Sequence, residues 1–127
     1  DDLFGALDAA RAMGLRVGVV SNSEGKLPEL FAAVGLGDAF EVIVDSAIEG
    51  VRKPDPEIFR RALARLGVAP ERALYAGDLP AVDVDGALGA GLGAALIDPL
   101  GFYPDHARSA RYASVAELVA DLRRARR

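Results

Sequence analysis

The sequence predicts an α/β domain: a parallel, Rossmann-like sheet with helices on both faces. Three observations predict it. Short apolar runs alternate with segments of helical period along the whole chain. Those runs carry little polar alternation, which is how strands covered on both faces read. Half of the 127 residues are apolar (51%) and few are aromatic (6%), a composition suited to close packing of helices on a sheet.

Leu3, Leu7, Ala10 and Met13 recur at helical spacing, and Gly14 stands where such a helix stops. Arg16 to Val20 is a short β-branched run and reads as the first strand. Leu27 to Val34 forms a second helix closed by Gly35, and Glu41 to Val44 a second apolar run. A third helix begins near Asp55, where Asp55-Pro56-Glu57 supplies a capping carboxylate, a first-turn proline and an acid in favourable order; it ends at Gly67. Ala73 to Ala76 is the next strand, followed by a helix from about Ala81 to Ala90 and a strand from Gly93 to Ile97. A loop with Pro99, Gly101 and Pro104 runs from Asp98 to about Arg108. Arg111 to Ala113 is a short edge strand, and Ser114-Val-Ala-Glu117 is a capping-box pattern that opens the last helix.

The length suits one domain over residues 1–127. A formal charge of −4 argues against nucleic-acid binding, although a phosphate-handling protein need not be basic overall when amides, one lysine and a metal supply the positive field. With no cysteine there is neither a disulfide framework nor thiolate chemistry, which suits a cytoplasmic location. No apolar run reaches membrane-spanning length and no signal-peptide pattern opens the chain. The sequence starts at Asp1-Asp2, and its one methionine is Met13. Residues upstream are therefore expected.

Parallel sheets of this kind bind ligands beyond the carboxyl ends of their strands, so polar residues just after strands are the ones to weigh. Ser21-Asn22-Ser23 follows the first strand, and a hydroxyl there with neighbouring amides could hold a phosphoryl oxygen. Ordinary turn chemistry also favours Ser and Asn at strand exits. Lys53 precedes Pro54, which keeps it out of the helical region and fixes its approach; its ammonium could neutralise a phosphate, or it is an ordinary exposed lysine. Gly77-Asp78-Leu79-Pro80-Ala81-Val82-Asp83 closes the Ala73–Ala76 strand and places two acids across a strand-to-helix turn. Hard carboxylate oxygens suit Mg²⁺. Asp83 alone would also serve as a first-turn acid at a helix N-terminus, which leaves Asp78 unexplained.

Taken as an ordered set, these residues resemble the haloacid dehalogenase-like (HAD) hydrolase superfamily, in its phosphoglycolate phosphatase-like branch. Val19-Val20-Ser21-Asn22 is similar to its second motif, Lys53-Pro54 to its third and Gly77-Asp78 with Asp83 to its fourth; Gly86-Ala87 and Ala90-Gly91 match the helix that follows. The resemblance implies that Ser21 hydrogen-bonds the transferring phosphoryl group with the Asn22 amide beside it. It implies that Lys53 offsets charge on that group and on the attacking carboxylate, and that Asp78 ligates Mg²⁺ with Asp83 helping directly or through water. The substrate would be a small phosphorylated molecule, cleaved through an aspartyl-phosphate that water then hydrolyses.

The first motif of the family, an Asp-x-Asp pair after an N-terminal strand, has no counterpart here. Asp83-Val84-Asp85-Gly86 imitates it by letter, but Pro80 argues against a buried central strand before it. The expected sheet therefore lacks its central strand, between those ending at Ser21 and Gly77, and a missing N-terminal segment or a second chain would complete it. Too few residues separate Ser21 from Lys53 to hold a cap domain. Two other functions remain: a 2-haloacid dehalogenase-like hydrolase, and a non-catalytic, truncated or degenerate binding domain. His106, the single histidine, is expected at the surface. Gly89-x-Gly91-x-Gly93 ends a helix instead of opening one, which argues against a dinucleotide site. The Arg123–Arg127 tail suits a solvated helix end.

Overall fold

In the computed structural model, which describes residues 3–125, every strand pairing is parallel. The chain runs α1 (Leu3–Ala12), β1 (Gly18–Ser21), α2 (Leu27–Ala33), β2 (Val42–Asp45), α3 (Ser46–Glu49), α4 (Pro56–Leu66), β3 (Leu74–Gly77), α5 (Asp85–Gly89), β4 (Gly93–Ile97), β5 (Ala110–Tyr112) and α6 (Val115–Ala125). The Asp1-Asp2 start and the last two arginines of the basic tail lie outside the described residues.

Helix α4 forms where its caps dictate. The Asp55 side chain accepts from the Glu57 N–H at 3.0 Å, Pro56 fills the first turn, and Gly67 at φ +72° closes the helix with its N–H on the Leu63 carbonyl. Ile58, Phe59, Ala62 and Leu63 make its buried stripe, packed with Val20, Val44, Ala87 and Leu92 in the main core. Burying each of the larger chains stabilises the fold by about 1.5–3 kcal/mol. A second cluster joins α1 to α6 through Ala6, Ala10 and Val119, with Leu15 and Val17 against it. The first strand consequently begins at Gly18, later than the Arg16 start its apolar run predicts. Only Val20 of this strand is fully buried, and among the described residues one edge of β1 has no neighbouring strand.

The ladders fall into two groups among the described residues, β1–β2 and β3–β4–β5. Strands β1 and β3 share no ladder, the arrangement expected of a sheet without its central strand. The Tyr75 hydroxyl spans them, donating to the Val20 carbonyl at 2.9 Å. Edge backbone groups need partners, and a strand-borne phenol supplies one here.

The predicted helix from Ala81 to Ala90 is replaced by two elements. A π-helical turn covers Pro80–Val84 and α5 starts only at Asp85. The Leu79 carbonyl accepts from the Val84 N–H at 3.4 Å, the bond that widens the turn, and from the Asp83 N–H at 2.8 Å, and Asp83 packs inward against Gly77. π-turns often mark functional sites. Strand β5 covers Ala110–Tyr112, one residue earlier than its sequence pattern suggests, and the Ser114 hydroxyl accepts from the Glu117 N–H at the start of α6. Among the described residues no helix is long and apolar enough to cross a membrane.

Candidate active site

Three loop entries converge at the carboxyl ends of β1 and β3. Lys53 is the meeting point. Its Nζ lies 2.7 Å from Asp83 Oδ1 and donates to the Tyr75 hydroxyl at 3.0 Å. Both side chains of the ion pair are well covered, with 12% of Lys53 and 4% of Asp83 exposed. A lysine ammonium has three protons; two are directed to these partners, and one remains for a ligand. Burial alone would lower the Lys53 pKa, but the Tyr75 oxygen and the Asp83 carboxylate outweigh it and hold the ammonium above its ordinary range. Burial pushes the Tyr75 phenol up, against the pull of the Lys53 charge. At neutral pH the cation is therefore permanent and the phenol stays protonated.

Asp83 is held on both oxygens. Oδ1 takes Lys53, and Oδ2 accepts the Leu79 N–H at 3.0 Å. Its side chain lies directly over Gly77: a Cβ built at Gly77 would come 2.3 Å from Asp83 Cγ. Glycine is thus a steric requirement of this turn. Asp78 differs. It is exposed, and no donor among the described residues takes up its carboxylate.

Asn22 reaches Lys53 by a route its position in the sequence does not announce. Its side-chain oxygen accepts the Lys53 N–H at 2.8 Å and its side-chain nitrogen donates to the Lys53 carbonyl at 3.1 Å. This two-bond bridge fixes the main chain that carries the lysine. Ser21, at the end of β1, lies 2.5 Å from Ser23, hydroxyl to hydroxyl. The predicted residues Ser21, Asn22, Lys53 and Asp83 thus belong to one connected neighbourhood, with the exposed Asp78 directly after β3.

A family model described as a haloacid dehalogenase-like hydrolase matches residues 1–91. The chain belongs to the haloacid dehalogenase-like hydrolase family. It is 41% identical over 93 residues to a phosphoserine phosphatase of Thermus thermophilus, covering 72% of this chain and 37% of that relative. Among solved structures it resembles a HAD phosphatase from Thermococcus onnurineus, with a TM-score of 0.88 and 29% identity over 95% of this chain and 56% of the other. It also resembles a 2-haloacid dehalogenase from Pseudomonas syringae pv. Tomato, with a TM-score of 0.80 and 28% identity over 97% of this chain and 52% of the other. The chain spans well under half the length of the phosphatase it matches in sequence.

Three further residues of this HAD-family chain, Tyr75, Asp45 and Ser46, support the candidate site, and their sequence signals are weak. Tyr75 sits among small apolar neighbours in β3, and a phenol there has to find a partner; that was the available signal. Asp45, 1% exposed, ends β2 and accepts N–H groups from Gly25, Leu27 and Ala47 at 2.9–3.1 Å. An acid closing an apolar run was its signal. Ser46 follows it and binds both the N–H and the carbonyl of Ser23. Together they fasten the loop that carries Ser21 and Asn22 to the end of β2.

The Asp83-Val84-Asp85-Gly86 imitation of the first HAD motif lies in the π-turn and α5, not on a strand. There Asp85 pairs with Arg108 at 2.6 Å. His106 is half-buried, its Nε2 2.8 Å from the Ser109 hydroxyl. It lines an open pocket of about 310 Å³ that touches the Asp78–Asp83 turn only through Pro80. The Lys53–Asp83 ion pair and Tyr75 beside it are not in that pocket's lining.

The donor set can be tested against a divalent ion. Among the described residues no group of three or more His, Cys, Asp or Glu is placed to hold a metal. One uncommitted carboxylate, Asp78, beside one committed to a lysine fits an ion that keeps most of its waters and takes few protein ligands, as Mg²⁺ does.

Proposed function

We propose that this chain is the phosphoryl- and Mg²⁺-binding part of a HAD-family phosphomonoester phosphatase. The observation that carries it is the buried Lys53–Asp83 pair, whose ammonium keeps one proton beyond those given to Asp83 and Tyr75. Ser21 donates its hydroxyl to a phosphoryl oxygen. Lys53 lowers the charge repulsion between that group and an attacking carboxylate. Asp78 ligates Mg²⁺, and Asp83 acts through water and by holding Lys53. Bound there, the ion supplies charge screening for the phosphoryl oxygens. Asn22 keeps Lys53 on its approach instead of contacting substrate through its side chain.

The attacking carboxylate is assigned to an aspartate on a strand that fits between β1 and β3, from a segment or chain beyond the described residues. The free edges of those two strands support this reading. Attack would break the ester P–O bond of a small phosphorylated substrate, release its alcohol and leave the phosphoryl group on that aspartate; water would then hydrolyse this acyl phosphate to inorganic phosphate and the free carboxylate. A cysteine-free, mildly acidic chain fits a cytoplasmic enzyme.

Hydrolysis of an aryl phosphate by the intact protein, with Mg²⁺ and with EDTA, tests the proposal. The expected result is turnover that needs Mg²⁺ and falls at least about a hundredfold in Asp78→Asn, the scale of one lost electrostatic contact at the reacting group. Equal rates in Mg²⁺ and EDTA would overturn the metal assignment. Likeness to the Pseudomonas dehalogenase structure supports a second reading, and chloride release from a 2-chloroacid without phosphatase activity would establish it. A clean protein inactive on both substrates would favour a non-catalytic binding domain.

A further inference from the structure

Ser23 lies outside the matched motifs and beyond the end of β1, yet its main chain is held at both polar groups. The Ser46 hydroxyl accepts the Ser23 N–H at 2.9 Å and donates to the Ser23 carbonyl at 3.1 Å. Ser46 in turn follows the buried Asp45, whose carboxylate gathers N–H groups from both sides of the contact. The Ser23 main chain is therefore tied to the end of β2 at both of its polar groups. Its hydroxyl is delivered 2.5 Å from Ser21 Oγ, at the short end of the range for two hydroxyls.

Two hydroxyls at that separation share one hydrogen bond, so one donates and the other keeps a proton to give elsewhere. The two directions are not equivalent here. Ser21 ends β1 and is adjacent to Asn22, which grips the Lys53 main chain, whereas Ser23 is fastened away from it, to Ser46. A donor useful to an anion beside Lys53 is the Ser21 hydroxyl. We propose that Ser23 is a positioning residue: it donates to Ser21 Oγ and so leaves the Ser21 proton free to point at a bound oxyanion. A hydroxyl that accepts one hydrogen bond also donates a stronger one. The pair is then a two-link relay, Ser23 to Ser21 to anion, with Ser46 setting its first link. This rests on the reading of Ser21 as a phosphoryl ligand.

The test is a titration of inorganic phosphate into the intact protein with Mg²⁺ present, followed through the amide resonances of the β1–α2 loop and accompanied by a melting curve. Ser21→Ala removes the direct donor and should weaken binding about tenfold or more. Ser23→Ala should weaken it about threefold to tenfold, the range for one neutral hydrogen bond, with the melting temperature nearly unchanged. Ser23→Thr keeps the hydroxyl and should return the affinity to within about twofold.

Parent-like binding in Ser23→Ala would overturn the inference while leaving the phosphoryl site intact. A larger loss in Ser23→Ala than in Ser21→Ala would reverse the relay and overturn it too. Failure of Ser23→Thr to rescue would mark a packing role, not a hydroxyl role, and refute it. If phosphate leaves the β1–α2 loop of the parent protein unmoved, the proposed function fails, and the inference with it.

Discussion

Gly77→Ala puts the geometry of the charged turn under direct strain. The Gly77 backbone is not in the left-handed region, so alanine there has no conformational objection, and the whole effect has to come from contact. The new Cβ would meet Asp83 at 2.3 Å from Cγ, 2.4 Å from Cβ and 2.5 Å from Oδ2. Neither β3 nor the π-turn can move far without breaking its own hydrogen bonds. The Asp83 side chain must be displaced, separating it from Lys53 and from the Leu79 N–H. Overpacking costs about 1–3 kcal/mol, and breaking a buried ion pair about 3–5 kcal/mol. Partial relaxation makes these overlap, so about 3–5 kcal/mol in total is expected.

For a domain of this size each kcal/mol is worth roughly 3–5 °C, which places the loss at about 9–25 °C in a thermal melt. Gly89→Ala is the matched control. A Cβ there meets nothing within 4 Å, and the residue lies at the end of α5 with no positive φ. It should be neutral or stabilising by up to about 1 kcal/mol. A Gly77→Ala protein melting within about 2 °C of the parent, a shift worth less than 1 kcal/mol, would refute the packing of Asp83 over β3.

Lys53→Met keeps the length of the side chain and removes its charge, leaving Asp83 buried without its cation. A loss of about 3–5 kcal/mol is expected in denaturant unfolding, together with loss of phosphate binding; an unchanged midpoint would mean the pair contributes nothing. Acid stability should depend on Asp98. Burial opposes its charge, but the Tyr103 and Phe102 N–H groups and Arg111 outweigh it and hold its carboxyl below the usual 3.8. A depressed folded pKa contributes stability that is fully present above the unfolded value and lost as pH falls through the folded one. Melting temperature followed from pH 6 downward should therefore fall more steeply in the parent than in Asp98→Asn; parallel curves would contradict the assignment.

Much of the fold was legible because its signals are local. Asp55-Pro56 and Gly67 bound α4 by capping chemistry that needs no tertiary partner, β-branched runs locate β1 and β2, and a short apolar run locates β4. The limits of α5 were not legible. Whether the residues after Pro80 wind as an α-helix or a π-turn depends on Asp83 folding back over Gly77 to meet Lys53, a contact between residues thirty positions apart. The candidate set of Ser21, Lys53 and Asp78 follows from order along the chain. How they are held does not: the Asn22 bridge, the Tyr75 span to Val20 and the Asp45–Ser46 fastening all join separate elements. Each places a polar side chain on the backbone of another segment, and periodicity carries no trace of such bonds.

The most direct measurement is a crystal structure of the intact protein grown with Mg²⁺ and inorganic phosphate. It should hold the ion on the Asp78 carboxylate, with phosphate oxygens within hydrogen-bonding distance of Ser21 Oγ and Lys53 Nζ. Phosphate or Mg²⁺ bound elsewhere, with Asp78 left in solvent and Lys53 still closed on Asp83 and Tyr75 alone, would contradict the account.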